Sequence, residues 1–294
     1  MSEFIDPAVL GEYAFAIADA ENAEHLSEGL VTERLTPKIL MSSAHLMPTL
    51  VDLNRSPASE CDALFNLVCH RCENTEAPPV ALFIKTNVSA AVISRHWNAM
   101  QLAQPQPGRK LWLRLHDPRV LHQLLRILSP MQRQKLFGLS KVITYWVGGK
   151  WVTAELASYH SSNPQSRDHG DFKPYAGPER WNWLQIERIG LINRALAVAG
   201  ISDAACLTSA GALAEQLMER ATACYGLKDN VDLVEFAIRG LTIHPKFDKH
   251  PLIAKLIQAD TSSTERSCLS DRLALVEQNI WNAATHLPEY IQES

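Results

Sequence analysis

The 294-residue sequence lacks a positively charged, apolar leader, and its first seven residues are acidic. It also lacks any window near the ~18 apolar residues that a membrane-spanning helix needs. These two absences lead us to expect a cytoplasmic protein with no stable membrane insertion. No basic stripe is present: residues 1–177 carry 17 basic and 17 acidic side chains, and residues 178–294 carry 11 and 15. The net charge of −4 therefore belongs to the second part, and a nucleic-acid partner is not expected. The six cysteines are scattered rather than spaced as a disulfide framework, which predicts reduced, mostly buried thiols. There is no Gly-x-Ser-x-Gly elbow, phosphate-cradling glycine loop or His-Glu-x-x-His helix. Cys69-His70-Arg71-Cys72 has no second Cys-x-x-Cys or His pair to complete four zinc ligands, so neither a metal nor a cofactor is expected.

What is present is organised around residues 110–128, KLWLRLHDPRVLHQLLRIL. Residues 110–116 read as a strand buried on both faces, with Leu111, Leu113 and Leu115 opposite Trp112 and the stem of Arg114. Asp117 is a strong N-cap and Pro118 fits the first helical position, where its missing N–H costs nothing. From Arg119 onward Val120, Leu121, Leu124, Leu125 and Leu128 recur at helical spacing. Arg119 breaks the local rule, since a first-turn cation faces the positive end of the helix dipole. A partly buried Arg114 would also need a carboxylate. One reading is an internal clamp, with Arg114 or Arg119 paired to Asp117 or Asp19. The other is an anion or substrate site at the carboxyl edge of the sheet.

The remaining patterns predict an α/β fold in two parts. Strands are expected over 13–18 (one bulky face, one small), 48–53 and 79–86, with helices over 24–35, 59–72 and 90–102. Ser59 and Asp62 have capping-box-like spacing, and His96 reads as a packed core histidine. Residues 104–108 read as a polar linker. Residues 142–147 and 150–154 flank Gly148-Gly149, a hairpin signal that adds an antiparallel edge. We therefore expect a mixed-sheet α/β lobe over 1–157, a linker over 158–178 and an all-helical lobe over 179–294. The linker is polar, holds three prolines, and gathers His160, Asp168, His169 and Asp171. Helices are expected over 180–199 (stopped by Gly200), 207–225, 233–239, 251–258 and 266–287.

Leu113-Arg114-Leu115-His116-Asp117-Pro118-Arg119-Val120-Leu121 resembles the Arg-x-x-Asp-Pro-Arg-Val-Leu signature of the effector adaptor (chaperone) family of bacterial type VI secretion systems. Leu115 and His116 depart from it, the family carrying aromatics there more often. Asp19-Ala20 at the end of the first strand, Pro48-x-Leu50-Val51-x-Leu53, and Asp232-Leu233 with Phe247-Asp248-Lys249-His250-Pro251 are similar to further segments of that family. The resemblance implies a non-enzymatic cytoplasmic adaptor whose partners are a secreted effector (toxin) and the VgrG spike protein. Its motif residues, Asp19, Arg114, Asp117, Pro118 and Arg119, are structural or partner-binding. Exposed aromatics suit interface anchors, so Tyr145, Trp146, Trp151, Trp181 and Trp183 are the partner-binding candidates. The competing reading is a metal-assisted or acid–base hydrolase built from Asp19, Asp52, His116 and Asp117, which parallel strands would bring to one edge.

Overall fold

Alternating large and small side chains turn residues 13–18 into the buried centre of a sheet. The computed structural model describes residues 11–74, 76–106, 108–156, 181–258 and 268–286. The chain divides into two units, Met1–Trp183 and Leu184–Ser294. The expected linker over 158–178, with its histidines and aspartates, lies outside the described residues.

In the first unit, strands β1 (Phe15–Ala18), β2 (Thr32–Arg34), β3 (Thr49–Asp52), β4 (Leu82–Lys85), β7 (Val142–Val147) and β8 (Lys150–Glu155) form one sheet. Its order is β2-β3-β1-β4-β7-β8, antiparallel at every pairing rather than mixed. A separate two-stranded ribbon pairs β5 (Leu102–Gln106) with β6 (Arg109–Trp112). Every residue of β1 is buried, and Ala16 and Ala18 leave room for helix α1 (Ala58–Glu73) to close on the sheet. On that face Phe83 packs between Tyr13, Phe65 and Trp151, with ring centroids 5.4–6.2 Å apart. Helices α2 (Ala90–Met100), α3 (Pro118–Ile127) and α4 (Pro130–Phe137) complete the unit. Tyr145, on the other face of β7 from Thr144, meets His122 of α3, so helices cover the sheet on both sides.

Several expectations are corrected. Residues 24–35 are not a helix but a 3₁₀ turn (Asn22–His25) followed by the short edge strand β2. Gly29 and β-branched Val31 and Thr32 outweigh the apolar spacing there. The strand over 110–116 ends at Trp112 and lies in the ribbon, outside the main sheet. Of the polar linker expected over 104–108, residues 104–106 belong to strand β5, with Gln106 paired to Arg109, and Gly108 has φ 80°. Pro57, not Ser59, is the N-cap of α1, and no side chain caps it. Helix α4 went unpredicted although Ser129 and Gln132 make a full capping box. The hairpin and helix α3 stand where the sequence puts them, Gly148 and Gly149 at φ 60° and 74° supplying a primed turn.

The second unit is helical: α5 (Trp183–Val198), α6 (Ala204–Tyr225), α7 (Asn230–Thr242), α8 (Pro251–Gln258), α9 (Leu269–Ala274) and α10 (Gln278–Ala284). Within the described residues of the single helix expected over 266–287 stand two short ones, broken between Ala274 and Gln278. Gly200, at φ 72°, ends α5, and the Ile201 N–H reaches back to the Leu196 carbonyl at 2.9 Å. Phe236 stacks near Phe247 with centroids 4.9 Å apart, and Phe247 faces Trp281.

Candidate functional site

The Asp117 carboxylate is the hub of the candidate site. Its Oδ1 accepts the Arg119 backbone N–H at 3.0 Å, the N-cap bond that starts α3. The same oxygen accepts Arg119 Nε at 3.1 Å, and Oδ2 accepts Arg119 Nη2 at 2.9 Å. This two-pronged fork offsets the cost of a cation in the first turn of a helix. Arg114 Nη2 stands 3.8 Å from Oδ2 on the other side. Asp117 is 7% exposed, while the Arg114 and Arg119 side chains are 51% and 65% exposed. Burial alone would raise the carboxyl's pKa; the Arg119 hydrogen bonds and charge outweigh it and hold it below the usual range.

Of the two readings of these residues, the clamp is therefore present through Arg119. The expectation that Arg114 is partly buried is corrected, because the chain leaves the ribbon at Trp112 and Arg114 faces outward with its guanidinium 5.9 Å from the Trp112 ring centroid. Trp112 in turn donates to Gln101 Oε1 at 3.4 Å. Gln101 is fully buried, donates to the Leu35 carbonyl at 3.3 Å, and accepts the Leu113 N–H on its own backbone carbonyl at 2.8 Å. It ties the end of the ribbon to the start of the motif, and no spacing or motif in the sequence marks it.

His116 is 3% exposed, and its Nδ1 has no hydrogen-bond partner among the described residues. Burial first, and the Arg114 charge second, push its pKa down to about 4, only partly opposed by Asp117 and Asp19. It is a neutral imidazole at pH 7. Asp19, at the end of β1, accepts the Asn22 N–H at 2.7 Å and lies close enough to His116 to act on its charge. Pro118 begins α3 at the first helical position. Asp19, Arg114, His116, Asp117 and Arg119 thus form one neighbourhood.

Asp52 does not join it. Antiparallel pairing sets Asp52 opposite Phe15 while Ala18, next to Asp19, faces Thr49, which puts the two acids at opposite ends of β1. The shared carboxyl edge required by the four-residue hydrolytic arrangement is absent because the strands are not parallel. Asp52 instead accepts the Arg55 N–H at 3.1 Å.

The expectation of exposed aromatic anchors on the hairpin is corrected too. Tyr145 and Trp151 are buried, the first bonded to His122 Nδ1 at 3.1 Å, the second packed on Phe83. Trp146 is half-buried edge-on to Trp151. Burial of strand residues on both faces of a helix-covered sheet leaves them no free surface. Trp181 and Trp183 are also half-buried and stack on each other at 5.7 Å.

Within the described residues no three His, Cys, Asp or Glu side chains are grouped to hold a metal ion, and no helix is long and apolar enough to cross a membrane. Cys72 is buried in the last turn of α1, and burial pushes its thiol up to about 11.

The motif, the first strand and the third strand all fall inside one matched segment. Residues 14–135 match the family model described as a domain of unknown function, DUF4123. The DUF4123 segment takes in Asp19, Asp52 and the whole Asp117 cluster and stops within α4; the helical unit lies beyond it. No curated protein and no solved structure matches the chain.

Proposed function

We propose that the protein is a non-enzymatic adaptor (chaperone) of a bacterial type VI secretion system, which binds a secreted effector and loads it onto the VgrG spike in the cytoplasm. The observation that carries this reading is the disposition of the Arg-x-x-Asp-Pro-Arg motif inside the DUF4123 segment. A buried carboxylate fixes the backbone and one guanidinium, and two arginines are left on the surface in set positions. Arginine held in this way is preorganised for a protein partner, because little side-chain freedom is lost when it docks. The hydrolase alternative would need Asp117 as a base or ligand, yet both its oxygens already accept hydrogen bonds from Arg119.

The test is recovery of tagged protein from the producing cell with identification of the co-purifying chains. Recovery of a VgrG spike and a toxin-like effector, lost together in an Arg114→Ala/Arg119→Ala double variant, is the expected result. Recovery of neither, with ester or phosphoester turnover abolished by Asp19→Asn or Asp117→Asn, would transfer the protein to the hydrolases.

A further inference from the structure

A second surface in the first unit carries charge that the Asp117 cluster does not use. A groove of about 780 Å³ runs between the β2 edge and helix α2. Lys38, Arg55, Arg95 and Lys110 line it, all four exposed and without an ion-pair partner among the described residues. Its one acid, Glu33, is engaged, accepting the Ser94 hydroxyl at 2.6 Å. Four like charges around one groove repel each other, an arrangement that an anionic occupant relieves.

The surface of the groove points to the kind of occupant. Ile39 belongs to its lining and is 49% exposed, and Met41, two residues on, is 62% exposed, apolar surface that suits side chains rather than phosphates.

We propose that this groove is a docking site for an extended acidic segment of a partner protein, whose carboxylates face Lys38, Arg55, Arg95 and Lys110 while its apolar side chains meet Ile39. The site is separate from the Asp117 cluster and does not depend on the adaptor reading.

Anisotropy titration of the full chain with a fluorescein-labelled, end-capped (Glu-Val)₄ peptide tests it. Binding is expected, weakening as salt rises, and at least ~10-fold weaker in a Lys38→Glu/Arg95→Glu double variant. Ile39→Ser, which leaves every charge in place, is expected to weaken it by ~3–10-fold. Melting curves within a few degrees of wild type show that these variants fold; if they do not, Lys110→Gln/Arg55→Gln serves with the same expectation. The proposal is overturned if the peptide does not bind or if a (Lys-Val)₄ peptide binds equally well. Tighter binding of a single-stranded oligonucleotide, lost in the same variants, would also overturn it.

Discussion

Each unit holds a buried aspartate gripped by an arginine, and the two differ in where the arginine ends up. In the helical unit Asp248 has a fully buried side chain; Arg220 Nη2 reaches Oδ1 at 2.8 Å from a side chain only 26% exposed. Tyr225 donates to Oδ2 at 3.0 Å and to the Asp248 carbonyl at 3.1 Å, and Arg220 also binds the Pro245 carbonyl. Burial, reinforced by the Asp248 charge, raises the Tyr225 pKa, so its hydroxyl stays protonated as a donor. Asp117 shows the same chemistry facing outward, its two arginines more than half exposed. The contrast separates a clamp that holds the chain from a mount that presents cations. The Asp248 group joins α6 to the segment before α8, whereas the Asp117 group ends in solvent.

The largest effect is expected where the charge has no access to water. Asp248→Ala strands Arg220 and the Tyr225 hydroxyl among buried groups and should cost about 3–5 kcal/mol. Chemical denaturation followed by circular dichroism reads this as an early loss of helix. A midpoint unchanged from wild type would erase the distinction between clamp and mount.

Next comes acid. His116 has its pKa lowered from the ordinary 6.5 to about 4, and burial lowers those of His96 and His122 as well. Protonation therefore favours the unfolded chain. The stabilising contribution is complete above pH 6.5 and disappears as pH falls toward 4. At about 1.4 kcal/mol per pKa unit, His116 accounts for roughly 3 kcal/mol. Melting temperature measured from pH 7.5 to 4 should fall through that window, and His116→Gln should flatten the fall. The Asp117 contribution, with its depressed pKa, is lost only at lower pH, as the carboxylate itself protonates. A profile flat from 6.5 to 4 in wild type would mean the imidazole is not buried neutral.

How much of this could be read from the sequence follows the range of the forces. Asp117 as cap, Pro118 in the first turn, the Gly-Gly hairpin and the stop at Gly200 are decided within a few residues, and they stand as expected. The edge strand at Thr32–Arg34 owes its place to pairing with β3, seventeen or so residues away, which local apolar spacing does not show. Antiparallel order is likewise a tertiary outcome, and with it went the meeting of Asp19 and Asp52. The clamp between Asp117 and Arg119 was legible as a broken rule, a cation at the wrong helix end. Exposure of Arg114 and burial of Tyr145 and Trp151 were not, since an alternating strand does not say which elements will cover it. The Phe247-Asp248-Lys249-His250-Pro251 segment stood out as a pattern, yet nothing local named Arg220 and Tyr225 as its partners.

A smaller effect is expected from removing the outward-facing hub. Asp117→Ala loses the N-cap, which typically costs about 0.5–2 kcal/mol. Arg114 and Arg119 are exposed enough to be hydrated once released, so the penalty should stay below that of Asp248→Ala in the same assay. If the two substitutions cost the same, the exposure of the arginines does not matter and the comparison fails.

The smallest effect on stability is expected from the arginines themselves, and it is the sharpest divide between the two clusters. Arg114 lies 3.8 Å from its acid and is half in water, and Arg119 is more exposed still. Ion pairs of this kind are worth about 0–1 kcal/mol, because salt and water screen them and long side chains lose freedom in forming them. Arg114→Ala and Arg119→Ala should each melt within a few degrees of wild type, whereas Arg220→Ala, which uncovers a fully buried carboxylate, should not. Under the adaptor reading the order reverses in a binding assay on folded protein: the Arg114 and Arg119 variants lose recovery of the spike or effector, and Asp117→Asn, which weakens the fork without removing a cation, falls between them and wild type. Stable Arg114 and Arg119 variants that retain full partner recovery would leave the motif as a helix start with solvated charges and move the search for a partner surface elsewhere on the chain.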